Sequence, residues 1–168
     1  MKDLILYDIN KELCKEWEIL FKDIPNVKIK NCSFEKLECE YVVTAGNSFG
    51  WMTGGIDLAV RNYYGVGIQD IIQRDIIRMV GSILPVGEHI LIKTNDKLKP
   101  NLIYAPTMLY PRVIQPIDIY YVFYKLLSYY DSFACCGLGT ATGGLTAKQC
   151  AETMYKVYTD FRRDIRNE

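Results

Sequence analysis

Asn47 and Asp57 bracket a run of glycines in the stretch TAGNSFGWMTGGID, Thr44 to Asp57. A plain chain reversal needs only about two to five residues, so this longer loop is built for something else. Near neutral pH a carboxylate can orient or deprotonate an attacking water within hydrogen-bond reach. An aspartate just inside a helix start also steadies the helix by facing its positive end. The carboxylate alone decides nothing, but its place directly after the glycines favours a functional role.

Eight of the twelve glycines fall in two loops, Gly46 to Gly55 and Gly137 to Gly144. Glycine lets backbone approach a ligand closely and turn its N–H groups inward, and a helix start adds partial positive charge. Such a loop can cradle phosphate without a lysine. Either loop alone is equally well explained as a tight turn; two together suggest a diphosphate held between them. A dinucleotide fingerprint does not fit GLGTATGG, whose spacing is GxGxxxG and which no later strand follows. A P-loop does not fit either, because no Gly-Lys-Ser/Thr occurs. A branched side chain at Gly143 should occupy phosphate space while leaving the protein folded.

The elements that must position these loops alternate in type. LILY reads as a strand, followed by Asn10 as the cap of a helix carrying Leu13, Trp17, Leu20 and Phe21 at helical spacing. Pro25 and Asn26 break that pattern, a half-buried strand follows around Val27 and Ile29, and YVV leads into the first glycine loop. IDLAVRNYYG and IQDIIQRDIIRMVG read as helices closed by Gly65 and Gly81, the second with Ile68, Ile71, Ile72, Ile76 and Met79 as its apolar stripe. EHILIKT and NLIYAPT are strands, IDIYYVFYKLLSYY a helix and SFACC a strand. The second glycine loop then leads into a last helix capped by Thr146. This order predicts a single α/β domain over residues 1–168, with a mixed, mostly parallel sheet covered on both faces. Ligands of such sheets bind outside the carboxyl ends of the strands, where both glycine loops lie.

Composition narrows the function further. Lys plus Arg and Asp plus Glu are equal at 20 each, so no global positive field collects duplex nucleic acid. The N-terminal apolar run is too short for a signal, and no stretch approaches a membrane span, which predicts a cytoplasmic protein. Six cysteines without CxxC spacing read as reduced, mostly buried thiols. The single histidine, His89, supports neither a zinc-ligand cluster nor a Ser-His-Asp set, so no metal or other cofactor is expected. Cys135 and Cys136 read as packing residues.

The AxNS segment running into GGID and a helix, with a later GxGT loop before a terminal helix, resembles the macro domain family, whose members bind ADP-ribose. The resemblance spans nearly the whole chain and is closest to a branch with NSFGxMxGGID in its first loop, matched by Asn47, Ser48, Phe49, Gly50, Met52, Gly54, Gly55, Ile56 and Asp57. It implies about six strands sandwiched between helices. By the same resemblance Asn47 hydrogen-bonds the distal ribose and Asp57 is the acid beside it. Ala45, Gly46, Ser48 and Phe49 belong to the first loop's contacts, and Gly54, Gly55 and Ile56 line the diphosphate. Gly137, Leu138, Gly139, Thr140, Ala141, Thr142, Gly143 and Gly144 form the second phosphate loop. Pro106, after Tyr104 and Ala105, ends a strand beside the pocket.

Three departures from the family matter. Its Gly-Asp-Ile, whose Asp contacts adenine, is replaced here by the segment Cys32, Ser33, Phe34. Ser33 and Phe34, or Asp8 at the end of the first strand, are the substitutes for base recognition, though a core position is the commoner fate of a phenylalanine. The second loop lacks an aromatic over the distal ribose, a role that Phe49 or Trp51 could take. Where one branch carries a nucleophilic lysine, four residues after the aspartate, this chain has Arg61, which stays protonated and reads as a solvated helix charge. Two functions follow. One is a hydrolase acting at the distal ribose, on ADP-ribose 1''-phosphate or on an ADP-ribosylated macromolecule; the other is a module that binds ADP-ribose or a related nucleotide without turnover. A purely structural role on the same scaffold is disfavoured by the retained loops.

Overall fold

The computed structural model describes residues 3–167. Its strands are β1 (Asp3–Tyr7), β2 (Val27–Lys30), β3 (Tyr41–Asn47), β4 (Ile90–Ile92), β5 (Asn101–Met108) and β6 (Ser132–Cys136). They form one six-stranded sheet in the order β2-β1-β6-β3-β5-β4, with β4 antiparallel to β5 and the other pairs parallel. The expected mixed, mostly parallel sheet is therefore present. In β3, β5 and β6 consecutive residues are buried rather than alternate ones. Successive side chains point to opposite faces, so both faces of these strands are covered.

The helices are α1 (Lys11–Leu20), α2 (Gly55–Tyr64), α3 (Gly67–Val80), α4 (Pro116–Tyr129) and α5 (Ala147–Asp164). α5 packs between α1 and α4, whereas α2 packs on β3 and α3. The expected caps hold. The Asn10 Oδ1 accepts from the N–H groups of Glu12 and Leu13 at 3.0 and 3.3 Å, and Thr146 and Gln149 form a reciprocal capping box. Gly65 and Gly81 end α2 and α3 with positive φ, as helix-terminating glycines do. Met79 departs from the predicted stripe of α3: Ile68, Ile72 and Ile76 are buried, but Met79 is exposed. Positions 72, 76 and 79 follow an i, i+4, i+7 row, and the row leaves the core before it reaches the last turn of the helix.

The sheet's interior also fixes the first glycine loop. β3 runs beyond YVV through Asn47, with a bulge at Gly46/Asn47 against β5. The buried Tyr104 hydroxyl sits in that irregularity, donating to the Asn47 carbonyl at 2.8 Å and accepting from its N–H at 3.0 Å. A Cβ at Gly46 would strike the Tyr104 ring, so the residue is glycine to admit the tyrosine. Cys14, Cys135, Cys136 and Cys150 are buried, Cys32 and Cys39 are partly buried, and all six are free thiols. Among the described residues no helix is long and apolar enough to cross a membrane.

Candidate functional site

The two glycine loops meet at the carboxyl ends of β3 and β6, where they wall a cavity with two lobes. One lobe, of about 250 Å³, is lined by Asn47, Trp51, Gly54, Asp57, Met108, Pro111 and most of the second loop. The other, of about 420 Å³, lies over the ends of β1 and β6 and is lined by Asp8, Ser33, Phe34, Glu35 and Ala59 among others. Gly55, Ile56, Gly137, Thr140 and Ala141 line both, and so form the waist between them.

That waist is lined by the start of α2 and by the second glycine loop. α1 and α5 have side-chain caps, but α2 begins after Gly54 with none, which leaves its first N–H groups without a side-chain partner. Gly55 takes φ +56 at this start, a value that glycine adopts without strain. Across the waist the amides of Thr140, Ala141 and Thr142 donate to no backbone acceptor among the described residues, while Gly144 and Leu145 close the loop onto Ala141 and Gly139. Neither lobe is lined by a lysine, arginine or histidine. An anion at the waist would be held by peptide N–H groups and the α2 dipole.

Asp57, in the first turn of α2, is only 4% exposed. Its Oδ1 accepts a 2.6 Å bond from the hydroxyl of Thr44 on β3. Burial pushes its carboxyl up to about 8, and the Thr44 bond offsets only part of that rise. Burial therefore favours the protonated form of this group near neutral pH, where the sequence predicts a carboxylate.

Asn47 is likewise buried, and its side chain is engaged with its own loop. Its Oδ1 accepts from the N–H groups of Phe49 and Trp51 at 3.1 and 3.3 Å, and its Nδ2 donates to the Trp51 carbonyl at 2.8 Å. One amide hydrogen is left for a ligand. Asp8 follows β1, with Oδ2 accepting from Gly137 N–H at 3.2 Å and Oδ1 from Asn10 N–H at 2.8 Å. It therefore ties the second loop to β1 while lining the larger lobe.

Of the residues singled out from sequence, Ser48, Phe49, Pro106, Leu138 and Gly144 line neither lobe. Ser48 and Leu138 are fully buried, and Ser48 N–H donates to the carbonyls of Met108 and Leu109. Phe34 joins the core against Tyr63 and Tyr64, the commoner fate of a phenylalanine, and also forms part of the larger lobe's wall. Gly143 does not have the expected freedom. A Cβ there meets the Gly139 backbone and Ile114, so a valine would disrupt the loop itself, and its φ is not positive. Arg61 is not a solvated charge: it is half-buried, and its Nε has no partner. Thr53, Thr107, Met108 and Pro111 were missed because they are ordinary loop and strand residues in sequence. Only the β3–β5 pairing brings Thr107 and Met108 to the first loop.

No family model matches the sequence, and no curated protein does. Solved structures do match. The macrodomain of Mycobacterium tuberculosis DarG is 18% identical with a TM-score of 0.66, over 77% of this chain and 87% of that one. Thermosipho africanus DarTG in complex with ADP-ribose is 15% identical with a TM-score of 0.66, over 91% of this chain and 49% of that one. The Oceanobacillus iheyensis macrodomain with ADP is 16% identical with a TM-score of 0.63, over 76% of this chain and 71% of that one. The chain has the macrodomain fold.

Proposed function

We propose that the two-lobed cavity binds ADP-ribose or a close derivative, and that the protein hydrolyses the bond between the distal ribose and the group it carries. The observation that carries this reading is the waist. Two loops, whose amides at Thr140, Ala141, Thr142 and the start of α2 have no backbone or capping partner among the described residues, line one narrow space, with a larger, more apolar lobe on one side and a smaller lobe holding a buried acid on the other. A diphosphate fits amides and a helix start, a base fits the lobe with Phe34 and Ile56, and a ribose fits the lobe with Asp57. Solved macrodomains with ADP-ribose and ADP share the fold, which supports a nucleotide of this class.

In this reading Asp8, Ser33 and Phe34 receive the base, and the Asp8 carboxylate accepts from an exocyclic amino group. Asp57 holds the catalytic proton. Water adds at the anomeric carbon as the bond to the leaving oxygen breaks; the Asp57 proton passes to that oxygen, and a proton from the water returns to Asp57. Arg61 lies outside the cavity and forms no covalent adduct.

A second reading, binding without turnover, is favoured by one observation: Asn47 spends most of its amide on its own loop rather than on a ligand. Calorimetric titration with ADP-ribose, followed by turnover assays on ADP-ribose 1''-phosphate and on a mono-ADP-ribosylated protein, tests both. Binding with turnover supports the hydrolase, and binding without it selects the module. Absence of binding refutes both.

A further inference from the structure

A separate cavity of about 520 Å³ lies between the α1–β2 turn and the end of α5, and it exceeds either lobe between the glycine loops. α5 starts just after the second glycine loop and has 18 residues, so at 1.5 Å per residue its far end stands roughly 27 Å from that loop. Three of the chain's seven arginines, Arg162, Arg163 and Arg166, fall within five residues here, and all three line the cavity.

The acids of α5 are engaged elsewhere. Asp160 accepts from the Tyr120 hydroxyl at 2.7 Å and pairs with Lys156 and Arg163, while Asp164 accepts from Tyr124 at 2.9 Å and lies 3.7 Å from Arg163. Among the described residues Arg162 and Arg166 make no ion pair, and neither does Asp23, the one carboxylate in the lining. Basic residues at a helix end offset the negative end of its dipole, but that end carries only about half a charge. Two unpaired guanidinium groups exceed it.

Beneath them is a fixed polar floor. Asn26 and Tyr158 are 6% and 3% exposed, line the cavity, and bond each other from amide Nδ2 to hydroxyl at 3.0 Å. Phe21 meets the Tyr158 ring edge-on with centroids 5.7 Å apart. The turn above it is closed by Ile24 N–H on the Phe21 carbonyl and Val27 N–H on the Ile24 carbonyl, and Leu4 N–H of β1 holds the Asn26 carbonyl. Ile24 and Pro25 add an apolar wall. Such a surface costs little ordering when a ligand arrives. The planar guanidinium fork matches phosphate oxygens bidentately. A bare phosphate fills only a small part of this volume, which lies in the range of about 300 to 1,000 Å³ that suits small organic ligands.

We infer that this cavity is a second ligand site, for a small phosphomonoester with an apolar or aromatic body. The Arg162 and Arg166 guanidinium groups hold the phosphate, Ile24 and Pro25 cover the body, and Asn26 with Tyr158 supplies the floor. The site is independent of the glycine loops, so it stands or falls apart from the ADP-ribose reading.

The test titrates the 15N-labelled full chain with phenyl phosphate, inorganic phosphate and benzyl alcohol, following backbone amide and arginine Nε–H signals. Phenyl phosphate should shift Arg162, Arg166 and the amides of Asp23, Ile24 and Asn26 saturably. Inorganic phosphate should shift the same signals about fivefold more weakly, the scale of burying part of one ring. Benzyl alcohol should leave the arginine signals in place. Arg166→Gln should weaken phenyl phosphate about tenfold, the scale of one charge-assisted pair. Asp23→Asn should tighten it about threefold by removing the opposing charge. Arg78→Gln, on α3, should change nothing. Arg166, Asp23 and Arg78 are exposed, so thermal melts should match wild type. Shifts confined to the glycine loops, displacement of phenyl phosphate by ADP-ribose, equal affinity for the two phosphates, or an unchanged affinity in Arg166→Gln each overturns the inference.

Discussion

At the scale of single residues, the site places its chemistry where folding must bear a cost. Asp57 was legible in the sequence as a lone acid after two glycines, but its protonation state was not, because the spacing of residues says nothing about burial. Between the ordinary aspartate value of about 3.9 and the folded value of about 8, the folded protein holds a proton that the unfolded chain has released. Stability therefore falls as pH rises through that window. Asp57→Asn has no proton to release and can still accept from Thr44, so its gain in stability should grow from pH 4 to pH 8 and reach roughly 2 kcal/mol or more. Turnover should fall by about 10²-fold in the same variant. Denaturant titrations at pH 5 and pH 8 check the first, and a wild-type-like pH profile in Asp57→Asn would remove the aspartate from the site's energetics. Asn47→Ala should act differently. It frees the N–H groups of Phe49 and Trp51, so hydrogen exchange at both should accelerate while exchange in the β3 core does not change.

At the scale of elements, the two glycine loops are alike in composition and unlike in what their glycines do. A Cβ on Gly139 would meet Ile114, Leu145 and Ile119, and one on Gly143 would meet the Gly139 backbone and Ile114, so both belong to the loop's own construction. Gly54 has extended φ and ψ of −159° and 166°, lines the lobe with Asp57, and would place a Cβ in open space. Gly54→Val should leave the fold within about 1 kcal/mol of wild type, the scale of a changed N-cap, yet reduce ADP-ribose affinity tenfold or more. Gly143→Val should lose cooperative folding of the second loop as well as binding. Thermal melts run beside the titrations separate the two outcomes; a Gly54→Val protein that binds normally would move the ligand away from the start of α2. The sequence revealed where the loops are, since glycine clusters mark themselves. It could not reveal which glycines face the cavity and which face the protein. That depends on Ile114, Leu145 and Tyr104, residues that read only as apolar or aromatic until β5 and the segment before α4 are brought alongside.

At the scale of the whole molecule, element order carried most of the fold: five parallel strands and the antiparallel β4 follow from short apolar runs separated by capped helices. The join between lobes was less legible, because β1, β3 and β6 reach it only through pairings distant in sequence. That join makes a prediction about the intact protein. A ligand that spans both lobes ties the β1–β6 end of the sheet to α2 and the first loop, so it binds the folded state alone and stabilises it by mass action. At about one hundred times its dissociation constant, ADP-ribose should add roughly 2.7 kcal/mol, which for a chain of this size raises the melting temperature by roughly 5 to 10 °C. Adenosine reaches only the larger lobe and ribose 5-phosphate only part of the smaller one. Neither bridges the amide waist, so at the same concentrations each should shift the melt by less than about 2 °C. Scanning calorimetry with the three ligands reads this directly. A shift with adenosine as large as with ADP-ribose would mean that the base lobe alone carries the affinity and that the two glycine loops bind no diphosphate.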